Sequence, residues 1–336
     1  MKAYAMNGAG NAFILIDARA GEQALSPSPD QVRALVQAHP FDQLLALEAE
    51  DGVDARLRVW NADGGEVGAC GNGTRAAAWL MFQELRRDTL TFASAGGALA
   101  ARRLDSGQAE VDLGPARLDW RDVPLARAMD TVRLDYAVDL PGGGQLKSPG
   151  AVSMGNPHCV FFVDDVEALP IENTGPKIEH DPLFPERVNA GFAEVRSADS
   201  IRLKVFERGA GLTLACGTGA AAALVAAHRQ GRTGREALIE ADGGLLPVRW
   251  AEDGHVHLAG PVELERDVHL PEGFCAPRLC TGLALAGIAP PAAGAGLRTL
   301  GECHSDEALL ERAVEASDRA LTVYTQETAP AHWRTS

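Results

Sequence analysis

Cysteine is scarce: six thiols in 336 residues (Cys70, Cys159, Cys216, Cys275, Cys280 and Cys303), without the spacing of a secreted disulfide framework. Reduced thiols are therefore expected. No Cys-x-x-Cys pair occurs, and Cys275 with Cys280, the nearest approach, lacks a second pair to complete a zinc site, so no metal is expected. No uninterrupted apolar stretch reaches the roughly 18 residues of a membrane span. The start Met1-Lys2-Ala3-Tyr4 is no basic region leading into an apolar signal core, so a cytoplasmic protein that engages no membrane is expected. Basic side chains are outnumbered, 31 Lys and Arg against 46 Asp and Glu, a net charge of −15. That balance argues against nucleic acid as a partner, since phosphate binding needs a basic surface.

What the chain does have is a repeat. Ala69-Cys70-Gly71-Asn72-Gly73 and Ala215-Cys216-Gly217-Thr218-Gly219 each lie between a strand-like run and an alanine-rich, helix-like run. Laid side by side without a gap, Arg56-Leu57-Arg58-Val59-Trp60 matches Arg202-Leu203-Lys204-Val205-Phe206, Gly65 matches Gly211, and Ala76-Ala77 matches Ala222-Ala223. Upstream, Gly10-Asn11 and Gly155-Asn156 each precede an apolar run that ends in aspartate, Asp17 or Asp164. An internal duplication follows. The expected organisation is one half over 1–130, a second over 131–272, and an Ala/Gly/Pro-rich extension over 273–336 with a surface helix at Ser305–Thr325 and no chemistry of its own.

Short strand-like stretches dominate both halves, among them 12–17, 44–48, 56–61, 160–163, 191–197 and 201–207. Pro29 through Ala38 has proline near its first turn and apolar residues at helical spacing, the pattern of an amphipathic helix. Thr74–Arg86 and Ala220–Gln230 are apolar nearly all round, as in buried helices. The class read from this is α+β: two pseudo-symmetric halves, each a curved, mostly antiparallel sheet wrapped around a central helix, with the active site in the cleft between them. Residues 124–150, with Pro141-Gly142-Gly143-Gly144, carry the crossover.

A cysteine at a helix start meets unpaired N–H groups and about half a positive charge, which favours the thiolate. The glycines behind it let amides approach and hold a carboxylate. Two such motifs facing one another place a sulfur on either face of a carbon, so that one takes a proton while the other returns one. That is racemase or epimerase chemistry without pyridoxal or any other cofactor. Cysteines 159, 275, 280 and 303 lack this context and read as packing or surface residues. Asn11, Asn61, Asn72, Asn156 and Asn189, with Gln43, Glu207 and Arg208, furnish donors and acceptors for a zwitterion with more than one amino and carboxylate group. His158 is placed either to tune a thiol or simply as a turn residue.

The chain closely resembles the diaminopimelate epimerases from Met6 to about Pro261. The resemblance rests on Gly8-Ala9-Gly10-Asn11, Asp42-Gln43, Trp60-Asn61-Ala62-Asp63-Gly64, the two cysteine motifs, Met154-Gly155-Asn156-Pro157-His158 and Glu207-Arg208-Gly209. It implies epimerisation of LL-2,6-diaminopimelate to the meso form, within lysine and peptidoglycan-precursor synthesis, with a homodimer as the assembly to expect. It implies Cys70 and Cys216 as the acid/base pair and His158 and Glu207 as groups that set their protonation. Substrate contacts map onto Asn11, Gln43, Asn61, Gly71, Asn72, Asn156, Asn189, Glu207, Arg208, Gly217 and Thr218. The sequence departs from the family pattern at Ala12, usually Asp, at Thr74, usually aliphatic, and at Arg266, often aromatic and a support for dimer contact. The competing readings are a proline-racemase-like enzyme using two thiols on a smaller substrate, a phenazine-type isomerase that needs no thiol pair, and a non-catalytic anion-binding module. Nucleotide binding is weaker, because neither glycine loop carries the Lys-Ser/Thr of a P-loop.

Overall fold

A computed structural model describes residues 2–21, 24–68, 70–271 and Phe274. These all belong to one compact unit, Met1–Pro277. The extension expected after residue 273, its helix at Ser305–Thr325, and Cys275, Cys280 and Cys303 lie outside the described residues.

The first half runs β1 (Lys2–Gly8), β2 (Asn11–Asp17), α1 (Pro29–Ala38), β3 (Gln43–Glu48), β4 (Ala55–Asn61), β5 (Glu66–Val67), α2 (Gly71–Glu84), β6 (Thr89–Ser94), β7 (Gly97–Arg103) and β8 (Ala109–Pro115). A connection follows that contains a small hairpin, β9 (Ala137–Asp139) and β10 (Gln145–Lys147). The second half repeats the order as β11 (Gly150–Ser153), β12 (Pro157–Phe162), α3 (Ile171–Glu179), β13 (Asn189–Ser197), β14 (Ser200–Glu207), β15 (Gly211–Thr213), α4 (Gly217–Arg229), β16 (Glu236–Ala241), β17 (Gly244–Trp250) and β18 (His255–Gly260). A last strand, β19 (Glu263–Val268), returns to pair antiparallel with β1.

Pairing is mostly antiparallel, and the exceptions are themselves duplicated. β2 runs parallel to β3, and β12 to β13, each joint spanned by a helix, α1 or α3. β4 runs parallel to β6, and β14 to β16, with α2 or α4 in the crossover. Strands β8 and β18 pair with each other, which joins the halves into one 17-stranded sheet.

Strands at the parallel joints are covered on both faces, which is why they read as unbroken apolar runs. Phe13 and Leu15 of β2 face the core that contains α2, while Ile14 and Ile16 face α1 through Val32 and Leu35. In the second half Val160 faces α4, while Cys159 and Phe161 face α3 through Ile171 and Ile178. Cys159 is thus a packing residue, fully buried. Both central helices share one apolar core, and their alanines let the sheet close around them: Ala76–Ala78 and Ala220–Ala223 have no exposed surface.

Two elements have a local cause worth stating. Helix α1 opens with a capping box, Ser28 accepting from the Gln31 amide while the Gln31 side chain accepts from the Ser28 amide at 2.8 Å. Helix α3 went unread in sequence because Gly175 and Pro176 interrupt its periodicity; it forms because Ile171 and Ile178 are buried against the sheet. It is also pressed onto β14, for a Cβ at Gly175 would stand 2.3 Å from Phe206 Cγ. Gly175→Ala should therefore lower stability by about 1–3 kcal/mol through overpacking. Urea unfolding checks this, and an unchanged midpoint would refute the steric assignment.

Candidate active site

The duplicated strands deliver their polar ends to one region. Gln43 opens β3 and Asn189 opens β13; Asn61 closes β4 and Glu207 closes β14; Cys70 and Cys216 are the N-caps of α2 and α4. Each cysteine caps its helix through sulfur, Cys70 Sγ accepting from the Gly73 amide at 3.4 Å and Cys216 Sγ from the Gly219 amide at 3.3 Å. A Cβ at Gly73 would lie 2.9 Å from Leu45 Cδ2, and one at Gly219 would lie 2.9 Å from Val205 Cγ2 and 3.2 Å from Cys216 Sγ. The second glycine of each motif is thus needed for the helix to start against the strand beside it.

The two helix starts meet. A Cβ at Gly217 would stand 2.8 Å from Leu258 Cδ2 and 3.2 Å from Asn72 Oδ1, and one at Gly71 would stand 3.4 Å from the same leucine methyl. The carboxylate of Glu207 acts on both thiols and raises the proton affinity of each.

Burial overturns the expectation of acidic thiols. Desolvation is the largest influence on both sulfurs, pushing Cys70 up to about 11 and Cys216 well above the ordinary thiol value. The amides of Gly73 and Gly219 pull the other way but do not prevail, and the negative charge of Glu207 adds to the rise.

Around Cys216 lies a hydrogen-bonded chain. Thr218 Oγ1 is 3.6 Å from Cys216 Sγ, and His158 Nε2 is 3.1 Å from both Thr218 Oγ1 and Asn156 Oδ1. Asn156 Nδ2 donates to Thr218 Oγ1 at 3.3 Å. His158 therefore reaches the thiol through Thr218. Burial and the nearby Arg208 push its pKa down to about 3, so the ring is neutral at physiological pH, and its buried Nδ1 meets no protein partner. The Thr213 hydroxyl donates to Glu207 Oε1 at 2.6 Å. Asn189 donates to the Pro157 carbonyl at 2.9 Å and accepts from the Arg208 amide at 2.9 Å, and the Arg208 guanidinium donates to the Glu186 carbonyl at 2.9 Å.

Around Cys70 the chain is built of amides. Asn72 donates to Asn11 Oδ1 at 2.7 Å, and Asn11 donates to Asp42 Oδ2 at 3.1 Å. Gln43 donates to Asn61 Oδ1 at 3.1 Å, which leaves the buried Gln43 Oε1 without a donor. Ala12, which departs from the family pattern, sends its amide to Asp42 Oδ2 at 2.9 Å, so a carboxylate still stands against this turn. Thr74 turns its hydroxyl to the Cys70 carbonyl at 2.8 Å. Sequence reasoning gave no role to the supporting residues Asp42, Thr213 and Arg75; for Arg75 the available signal was a charge set directly before the buried alanines Ala76–Ala78.

Among the described residues no helix is long and apolar enough to cross a membrane, and no group of three or more His, Cys, Asp or Glu is arranged to hold a metal ion.

The duplicated architecture is one found in solved structures of other proteins. A probable proline racemase from Agrobacterium radiobacter superposes with a TM-score of 0.57 at 14% identity, covering 81% of this chain and 93% of that one. A phenazine biosynthesis protein from Bacillus anthracis superposes with a TM-score of 0.56 at 12% identity, covering 80% and 98%. The sequence narrows this further. The family model for diaminopimelate epimerase matches residues 3–118 and 150–265, the two halves without their connection. Diaminopimelate epimerases of Phenylobacterium zucineum and Acidiphilium cryptum are 49% and 48% identical, over 79% and 81% of this chain and 96% and 97% of theirs. The chain belongs to the diaminopimelate epimerase family.

The buried neutral imidazole carries a stability consequence. Its folded pKa of about 3 lies below the unfolded value near 6.5, so the unfolded chain binds the extra proton between those limits. Stability is lost as pH falls through that window, by up to about 1.4 kcal/mol per pH unit from this group. In His158→Gln the loss between pH 6 and 4 should be shallower. Parallel urea titrations of the two proteins across that range measure it, and coincident curves would contradict the assignment.

Proposed function

We propose that this protein interconverts LL- and meso-2,6-diaminopimelate by direct proton transfer between Cys70, the substrate α-carbon and Cys216. The observation that carries this reading is the convergence of two cysteine-capped helix starts on one leucine, Leu258, with one carboxylate, Glu207, acting on both sulfurs. A thiolate on one side takes the α-proton, breaking C–H and forming S–H. The thiol on the opposite side gives its proton to the other face of the carbanion. The configuration inverts, and the charge ends on the second sulfur. First-turn amides of α2 and α4, from Gly71, Asn72, Gly217 and Thr218, hold the α-carboxylate and stabilise the charge that spreads onto it.

The raised thiols make a binding-activated site. A substrate ammonium brought beside Glu207 offsets the charge that holds both sulfurs protonated, so thiolate forms where and when substrate is bound. His158 acts on Cys216 through Thr218. Asn11, Gln43, Asn61, Asn156, Asn189 and Arg208 orient the zwitterion, the unpartnered Oε1 of Gln43 being an acceptor for an ammonium. This set exceeds what a single-carboxylate substrate requires, which is why we favour diaminopimelate over a proline-sized ligand. The scheme itself needs no cofactor.

Three further readings go with this one. Catalysis by free thiols suits a reducing cytoplasm and the lysine and peptidoglycan-precursor route. The halves 1–130 and 131–272 act as the two catalytic units, with the extension outside the chemistry. The exposed strand β19, which pairs with β1 and carries the exposed Leu264 and Arg266, offers a face for a second copy.

In D2O, LL-diaminopimelate should gain deuterium at its α-carbon while meso product accumulates, with proline, hydroxyproline and glutamate inert. Cys70→Ala and Cys216→Ala should each cut turnover by at least about 10²–10⁴-fold with the fold intact. Absence of exchange in the wild-type protein would reject the epimerase reading. Tight binding without exchange would favour an anion-binding module, and activity surviving Cys70→Ser with Cys216→Ser would favour a thiol-independent isomerase.

A further inference from the structure

Helix α2 buries one charge completely. Arg75 has no exposed surface. Its Nη1 donates to Asn72 Oδ1 at 2.9 Å and its Nη2 to the Pro261 carbonyl at 3.5 Å, while Nε meets no acceptor. Among the described residues no carboxylate pairs with it. Room for the guanidinium comes from Gly260, where a Cβ would lie 3.2 Å from Arg75 Cζ and 3.3 Å from Nη2.

An unpaired guanidinium in an apolar interior is strongly unfavourable unless something in the site uses it. Burial pulls Arg75 down to about 10, which leaves it charged at neutral pH, and the group that favours its charge is Cys70 at the start of the same helix. The repeat sharpens the point. At the same spacing from Cys216 stands Ala221, so the second half has no such cation. The charged groups acting on Cys70 are Arg75 from α2 and Glu207 from the end of β14; the one acting on Cys216 is Glu207, with the neutral His158 reaching it through Thr218.

We infer that Arg75 is a positioning residue that makes the two thiols unequal: it orients Asn72, and through it Asn11, and stands as a buried countercharge when the sulfur of Cys70 is the thiolate. This rests on the two-thiol reading above. It deepens that reading by breaking the symmetry of the pair. Glu207 opposes negative charge on both sulfurs, but only Cys70 has the Arg75 cation to offset it, so negative charge is favoured on Cys70 over Cys216.

The test uses the full chain as wild type, R75M and R75K. Without substrate, the rate of iodoacetamide alkylation is read separately for Cys70 and Cys216 by mass spectrometry of their peptides, at fixed pH values from 7 to 10. In R75M the Cys70 rate should fall about tenfold or more, the change for one pKa unit, while the Cys216 rate keeps its wild-type value. R75K should restore the Cys70 rate only in part and only toward the lower pH values, because a buried ammonium gives up its proton more readily than a guanidinium. It should not restore KM, because an ammonium lacks the planar fork that holds Asn72. An unchanged Cys70 rate in R75M, or an equal fall at both cysteines, would overturn the inference. Should R75M fail to fold, R75Q supports the same comparison. Wild-type inactivity on LL-diaminopimelate would sink the substrate reading alone, since alkylation needs no substrate.

Discussion

One methyl group of Leu258 fixes the distance between two helix starts. Gly71 and Gly217 both close on it, and Asn72 reaches across to Gly217, so α2 and α4 cannot move apart without opening a void at the centre of the shared core. Both cysteines cap their helices through sulfur, so their positions follow the helix starts. The β8–β18 pairing holds the same contact from outside, since Leu258 lies on β18 opposite Val111 of β8. A thiol pair acting on one carbon requires this rigidity, because proton transfer tolerates little error in distance.

The duplication explains why the site is built twice, and the copies differ in the groups they present. Equivalent strand ends present Gln43 and Asn189, then Asn61 and Glu207, then Ala62 and Arg208. The first copy offers neutral amides and the second offers charge. On the proposed reading, a substrate with a zwitterionic centre at each end meets this inequality, one centre lying between the sulfurs and the other outside them. The buried Arg75, matched by Ala221, continues the same divergence inside the helices.

Much of this was legible from residue order. The repeat of Ala-Cys-Gly-x-Gly located both central helices, because alanine and glycine at those positions answer to close helix-to-strand packing that leaves no alternative. Buried runs such as Phe13-Ile14-Leu15-Ile16 marked the strands covered on both faces. Two elements gave no such sign: β19, exposed along Glu263–Asp267, forms because β1 needs a partner, and α3 forms despite Gly175 and Pro176. The partners of Asn11 and His158 were equally hidden, because Asp42 and Thr218 reach them only through the folded chain.

The thiols show why a local motif misleads about acidity. A helix start favours a thiolate where water still reaches the sulfur. Here Cys216 is buried and Cys70 partly so, and the loss of hydration outweighs the amides of Gly73 and Asn72 at the first sulfur and of Gly219 at the second. The neighbouring carboxylate then works in the same direction as burial. Such a site would be a poor one for a free nucleophile, which must stay ionised while it waits. It suits a pair of weak acids that exchange one proton through a bound zwitterion, since the positive charge that lets either sulfur ionise arrives with the substrate and leaves with the product.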